Sequence, residues 1–205
     1  MDGEGAGAVA AAIAHASTRT DGRRIPGEPG IWVLIVGDML VFGAFFVTFI
    51  YQRAEQPAVF DAGRRSLTIG FAVTNTLLLL TSSLFVATAV RAVRDGSRRL
   101  APPLLRAAIA CALGFVALKG IEWGLKISDG VNPGHDRFFL LFFILTGIHL
   151  VHVLIGLVGL TVLLRISKRA EPKKNDVLIT EVGASFWHLV DLLWVVLFPL
   201  LYLVH

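Results

Sequence analysis

The chain has 205 residues, 55% hydrophobic and 17% charged, with a mean hydropathy of +0.72. Residues 66–90 and 138–164 contain no Asp, Glu, Lys or Arg, and each run exceeds the roughly 20 residues that cross a bilayer core about 30 Å thick. An integral membrane protein follows, which excludes a cytosolic enzyme, a disulfide-stapled secreted domain and a nucleic-acid-binding module. The lone Cys111 allows no intrachain disulfide and no thiolate metal cage.

Residues 1–30 are Gly/Ala-rich and polar. Asp2 and Glu4 stand where a signal peptide carries positive charge, so this stretch reads as a disordered cytoplasmic tail. Residues 31–205 then form one domain of five spans. The first, 31–51, holds Trp32 and a single charge, Asp38. The second, 67–90, holds Asn75 among Thr74, Thr76, Thr81, Ser82 and Ser83, short groups able to join helices. The third, 107–127, carries Lys119, Glu122, Trp123 and Lys126. The fourth, 138–164, carries His149 and His152, and the fifth, 182–204, carries Trp187, His188, Asp191 and Trp194. Backbone in lipid must satisfy its own hydrogen bonds, so spans of this length are helices. The predicted fold is all-α, a bundle of five transmembrane helices.

Charge sets the expected orientation. The tail and the loops after the second and fourth spans hold 13 Lys and Arg residues, against four on the opposite side. The positive-inside rule places the N-terminus in the cytoplasm and the C-terminus outside. An odd number of spans requires opposite termini, in agreement.

Ionisable residues in a span cost about 2.5–3.5 kcal/mol at the bilayer centre and so face the interior with partners. Lys119, Glu122 and Lys126 share one face of a helix, where Glu122 can pair with either lysine. Asp38 lies about 12 Å deep at 1.5 Å per residue and needs a donor on another helix, Asn75 or a histidine. His188 and Asp191 are three residues apart, which suits a carboxylate orienting an imidazole in a clasp between helices. Trp187, Trp194 and Tyr202 read as packing or interface anchors. His149, His152 and His188 could also ligate haem or metal in a free-standing membrane protein, the competing reading. No phosphate loop, CxxC, HExxH or GxSxG motif occurs.

Four segments resemble the subunit III family of haem–copper oxidases. They are Gly30-Ile31-Trp32 with Gly37-Asp38-Met39; Glu122-Trp123 leading to Ile127-Ser128-Asp129-Gly130; Thr146 through Gly156, with its His149 and His152; and Glu181 through Trp194, ending at Tyr202. The resemblance implies the five-helix form, in the plasma membrane of a bacterium, with no cofactor of its own and bound phospholipid. It implies a haem-bearing subunit I-type partner and a role in assembly, lipid binding, proton uptake and durability. It places Glu122, His149, His152, Glu181, Trp187, His188 and Asp191 in a structural polar core, without catalytic or metal-binding duty. Many family members carry an acidic residue leading into the second span. Here none occurs between Asp61 and Asp95, which argues against direct proton uptake. The run Gly37–Gly43 and the ending Leu197–Tyr202 look closest to the NorE-type branch associated with nitric oxide reductase.

Overall fold

The computed structural model describes residues 29–169 and 176–203, and all regular structure in them is helical. The elements are α1 (Pro29–Glu55), α2 (Pro57–Ser66), α3 (Ile69–Arg94), α4 (Ala101–Ser128), α5 (Arg137–Ser167) and α6 (Asp176–Phe198). A single 3₁₀ turn, Arg98–Leu100, leads into α4, and a π-helical turn, Pro199–Leu203, extends α6. All but α2 are long and apolar enough to cross a membrane, giving the five spans expected from the sequence. The expected tail and the side chain of Trp32 lie outside the described residues.

Most helices run past the hydropathy boundaries. α4 starts at Ala101 and α5 ends at Ser167, and the added turns carry Arg106 and Arg165, both exposed, as long side chains that can hold a charged head in water allow. α4 ends in a Schellman motif: Val131 N–H donates to the Lys126 carbonyl and Gly130 N–H to that of Ile127, both at 3.0 Å. Gly130 has φ +80°, a conformation open to glycine, so the chain turns there without strain. α5 begins under an N-cap, Asp136, whose carboxylate accepts from the Phe139 N–H at 2.8 Å.

The segment between the first two spans holds α2, which hydropathy alone leaves without structure. Pro57 fits the first helical turn. Phe60 and Gly63 bury one face, while Arg65 stays exposed on the other. Lys126 Nζ donates to the Ser66 carbonyl at 2.5 Å, placing a cation at the α2 C-terminus, where the helix dipole favours it. A Cβ at Gly63 would land in the Phe138 ring, so glycine is what lets α2 lie on α5. There Phe49, Phe60, Phe138 and Phe139 meet edge to face, with centroids 5.1–5.7 Å apart in successive pairs.

α3 and α4 form an antiparallel hairpin, and α5 and α6 pack closely beside it. Half of the most apolar window of both α5 and α6 is buried, against 11% for α1, which is held mainly through α5 and α6. Small residues permit the close approach of α5 and α6: Gly156 faces the Trp187 ring and Gly183 faces Leu163.

Candidate functional site

The polar side chains of the spans gather between helices. The deepest group joins α4 to the end of α6. Lys119 and Glu122, one turn apart, are both buried, and Lys119 Nζ donates to Glu122 Oε2 at 2.6 Å. Tyr202 Oη donates to the other carboxylate oxygen at 2.7 Å, and Lys119 Nζ also reaches Tyr202 Oη at 3.3 Å. The Lys119 ammonium lies 4.7 Å from the Trp194 ring centroid and 5.6 Å from that of Phe142. Charge-assisted hydrogen bonds and aromatic faces thus replace the water that both charges lost. Tyr202 reaches this point because Pro199, lacking an N–H, loosens the end of α6 into a π turn. Of the two lysines open to Glu122, the structure selects Lys119, since Lys126 is committed to the Ser66 carbonyl.

Beside this cluster His149 is fully buried, 5.2 Å from the Trp194 ring and 5.6 Å from Phe115. Neither ring nitrogen has a hydrogen-bond partner among the described residues. It serves as an aromatic filler in the contacts it makes. Asn75 is likewise buried without a partner among the described residues, and it is not the donor for Asp38.

The group that faces Asp38 is His152. Its Nε2 lies 3.4 Å from Asp38 Oδ2, joining α1 to α5. The Ile148 carbonyl, 2.8 Å from Nδ1, can only accept, so Nδ1 carries a hydrogen.

α3 and α6 are joined twice. Trp194 Nε1 donates to Thr76 Oγ1 at 3.0 Å, and the Ser83 hydroxyl is hydrogen-bonded to His188 Nδ1 at 2.6 Å. The Asp191 carboxyl shares the Ser83 hydroxyl's surroundings, with Oδ1 left unpartnered among the described residues. The clasp expected between His188 and Asp191 therefore runs through α3. Ser82 Oγ donates to the Ala108 carbonyl at 3.0 Å, tying α3 to α4.

Glu181 stands apart from this interior. Its side chain is 28% exposed and accepts from Arg94, itself 58% exposed, at 2.7 Å. It belongs to the basic-loop end of the bundle, not to the core where the resemblance put it. Exposed pairs contribute little, so Arg94→Ala should change stability by less than about 1 kcal/mol, with the difference vanishing in high salt. Thermal unfolding at two ionic strengths checks this. Trp123 and Trp187 pack against glycine, near Gly147 and Gly156 respectively, and Trp187 and Trp194 are fully buried.

Sequence reasoning missed Tyr202 as the partner of Glu122, and Ser83 as the partner of His188. The signal for Ser83 was present in the hydroxyl-rich second span. For Tyr202 it was a proline three residues upstream, which marks a chain end bent out of register. The three histidines of the competing reading turn to different neighbours, and among the described residues no three His, Cys, Asp or Glu side chains converge as a metal site.

A family model described as cytochrome c oxidase subunit III matches residues 12–205. The chain is 26% identical over 196 residues to a probable quinol oxidase subunit 3 of Staphylococcus aureus, covering 94% of this chain and 97% of that one. It is also 26% identical to a cytochrome bo(3) ubiquinol oxidase subunit 3 of Pseudomonas aeruginosa, over 85% of this chain and 83% of that relative.

Proposed function

The chain belongs to the cytochrome c oxidase subunit III family, and on that premise we propose that it is a non-catalytic subunit of a respiratory haem–copper enzyme, packed beside a haem-bearing subunit I-type partner. It is a multi-pass protein of a bacterial plasma membrane. Its work is to support assembly and durability of the catalytic subunit and to hold phospholipid; no redox group is its own. The observation that carries this reading is the interior itself. Lys119 and Glu122 neutralise each other deep in the bundle, and Asp38 and His188 find partners on neighbouring helices. Such a core spends its ionisable groups on holding helices together. Phospholipid has a candidate place at an apolar crevice at the basic-loop end, walled by Ala89, Val93, Leu105, Leu163 and Ile166. The charge bias of the loops supports a cytoplasmic position for that end and for the N-terminus.

A quinol or cytochrome c oxidase is the first partner to seek, in keeping with the names of the relatives. A nitric oxide reductase is the second reading, favoured by the Gly37–Gly43 run and the Leu197–Tyr202 ending.

The test is to purify the tagged full chain from its native membranes in mild detergent. A haem-bearing oxidase subunit should co-elute, identified by mass and by its absorption bands. Recovery of the chain with no haem protein would overturn the proposal, as would stoichiometric haem in the chain after separation. Recovery with nitric oxide reductase would move it to the second branch. Within the recovered complex, Asp191→Ala strips the Ser83–His188 tie of its acid and should cost about 1–3 kcal/mol, read as a lower melting temperature. An unchanged melting curve would count against the clasp.

A further inference from the structure

We propose that the outward ridge of α3 is a seam for a transmembrane helix of the haem-bearing catalytic partner, whose polar groups bond the Thr74 and Thr81 hydroxyls; this rests on the reading of the chain as a subunit. Thr74, Leu77, Thr81, Leu84, Thr88 and Arg91 follow one another at alternating steps of three and four residues, and all six are exposed. Leu77 and Leu84 are 60% and 64% exposed. That alternation keeps one stripe of a helix facing a neighbouring helix that crosses it at about 20°.

The threonines say what the neighbour must offer. A threonine facing lipid normally donates to the carbonyl four residues before it, which needs no partner. Thr48 and Thr88, both exposed, do so at 2.8 Å, to Ala44 and Leu84. Thr76, Thr146, Thr161 and Thr180 do the same at 2.6–2.8 Å. Thr74 and Thr81 make no such bond, and have no hydrogen-bond partner among the described residues. Elsewhere on α3, Thr76, Ser82 and Ser83 bond within the chain's own bundle, while Asn75 is buried inside it. Two hydroxyls therefore remain free on one stripe, Thr81 at the middle of a 26-residue membrane helix.

Lipid tails carry no acceptor, and a water-soluble protein does not reach this depth. The occupant is a membrane-spanning helix with hydrogen-bonding side chains or open carbonyls. Charge separates a foreign helix from a second copy of this chain. Two copies share one orientation in the membrane, and a two-fold pairing of the ridges would oppose Arg91 to Arg91. A partner helix bearing an acid or a polar cap at that level avoids the repulsion.

The experiment compares two double variants of the tagged full chain, purified from native membranes. Thr74→Val/Thr81→Val removes both seam hydroxyls without changing shape. Thr48→Val/Thr88→Val removes two self-satisfied ones. The first should lower the haem recovered per tagged chain at least about fivefold after a stringent wash, and the second should leave it at the wild-type level. Melting of the isolated chain should be the same for the first variant and the wild type, because the hydroxyls serve no contact within the bundle. Equal haem recovery for both variants would sink the seam, as would a lowered melting temperature of the isolated first variant. A disulfide-linked pair of chains from Leu84→Cys in a Cys111→Ala background would assign the ridge to a second copy and also overturn it. Should the wild type itself recover no haem protein, the parent reading fails; normal wild-type recovery with an unaffected first variant rejects the seam alone.

Discussion

Glu122→Ala should destabilise the isolated chain by about 3–5 kcal/mol, the largest effect expected of any single substitution in the bundle. The reason is what it leaves behind. Lys119 is buried, and its strongest ligand is Glu122 Oε2 at 2.6 Å. With the carboxylate gone, the ammonium keeps one phenol oxygen at 3.3 Å and three aromatic faces, too little to replace its hydration. Tyr202 loses its acceptor in the same stroke, freeing the π turn that closes α6. Replacing both charges tests the cause. Lys119→Met/Glu122→Gln should recover most of the loss, since a neutral pair of similar volume carries no buried charge. Thermal unfolding in detergent ranks the three proteins: wild type and double variant high, Glu122→Ala well below. If Glu122→Ala melts with the wild type, the buried ion pair does not hold the fold.

Gly156→Leu should follow, at about 3 kcal/mol. The first added carbon would sit 2.6 and 2.7 Å from two atoms of the Trp187 ring. Trp187 is 1% exposed and cannot swing aside, so α5 and α6 must part along their whole contact. Gly159→Leu is the matched control, because nothing lies within 4 Å of the Cβ position there. It should melt within a degree or two of the wild type. Adding Trp187→Ala to Gly156→Leu should give a smaller loss than the two single effects summed, the mark of residues that share one space. Simple additivity would show that the two helices do not touch at this point.

The five spans were legible because lipid imposes a length and a near absence of charge, and both are written directly in the chain. α2 was not, since its ten residues carry a polar average and their burial depends on Phe138, which lies far along the chain. The polar core was legible as a set of residues and only in part as a set of pairs. Asp38 plainly needed a donor in another helix, but Asn75 and the histidines fitted that need equally until the packing of α1 on α5 selected His152. Glu122 had two lysines on its own face, and depth decided between them. Glu181 was placed inside by likeness; its position near the start of α6 puts it beside Arg94, in reach of solvent. Each gap has the same origin, because helix periodicity reports a residue's own face and says nothing of the helix opposite.

The thin attachment of α1 has a consequence for how the protein is made. Its ties run to chain synthesised later, through Asp38 and Phe42 to His152, and through Phe49 to Phe60 and Phe138. A ribosome adding about 5–20 residues per second brings out His152 on the order of 10 s after Asp38. For that interval the nascent first helix waits in the bilayer as an unmatched acid. Truncation or misinsertion of α5 would therefore show itself first at the opposite end of the chain, as a leading helix adrift and open to membrane proteases.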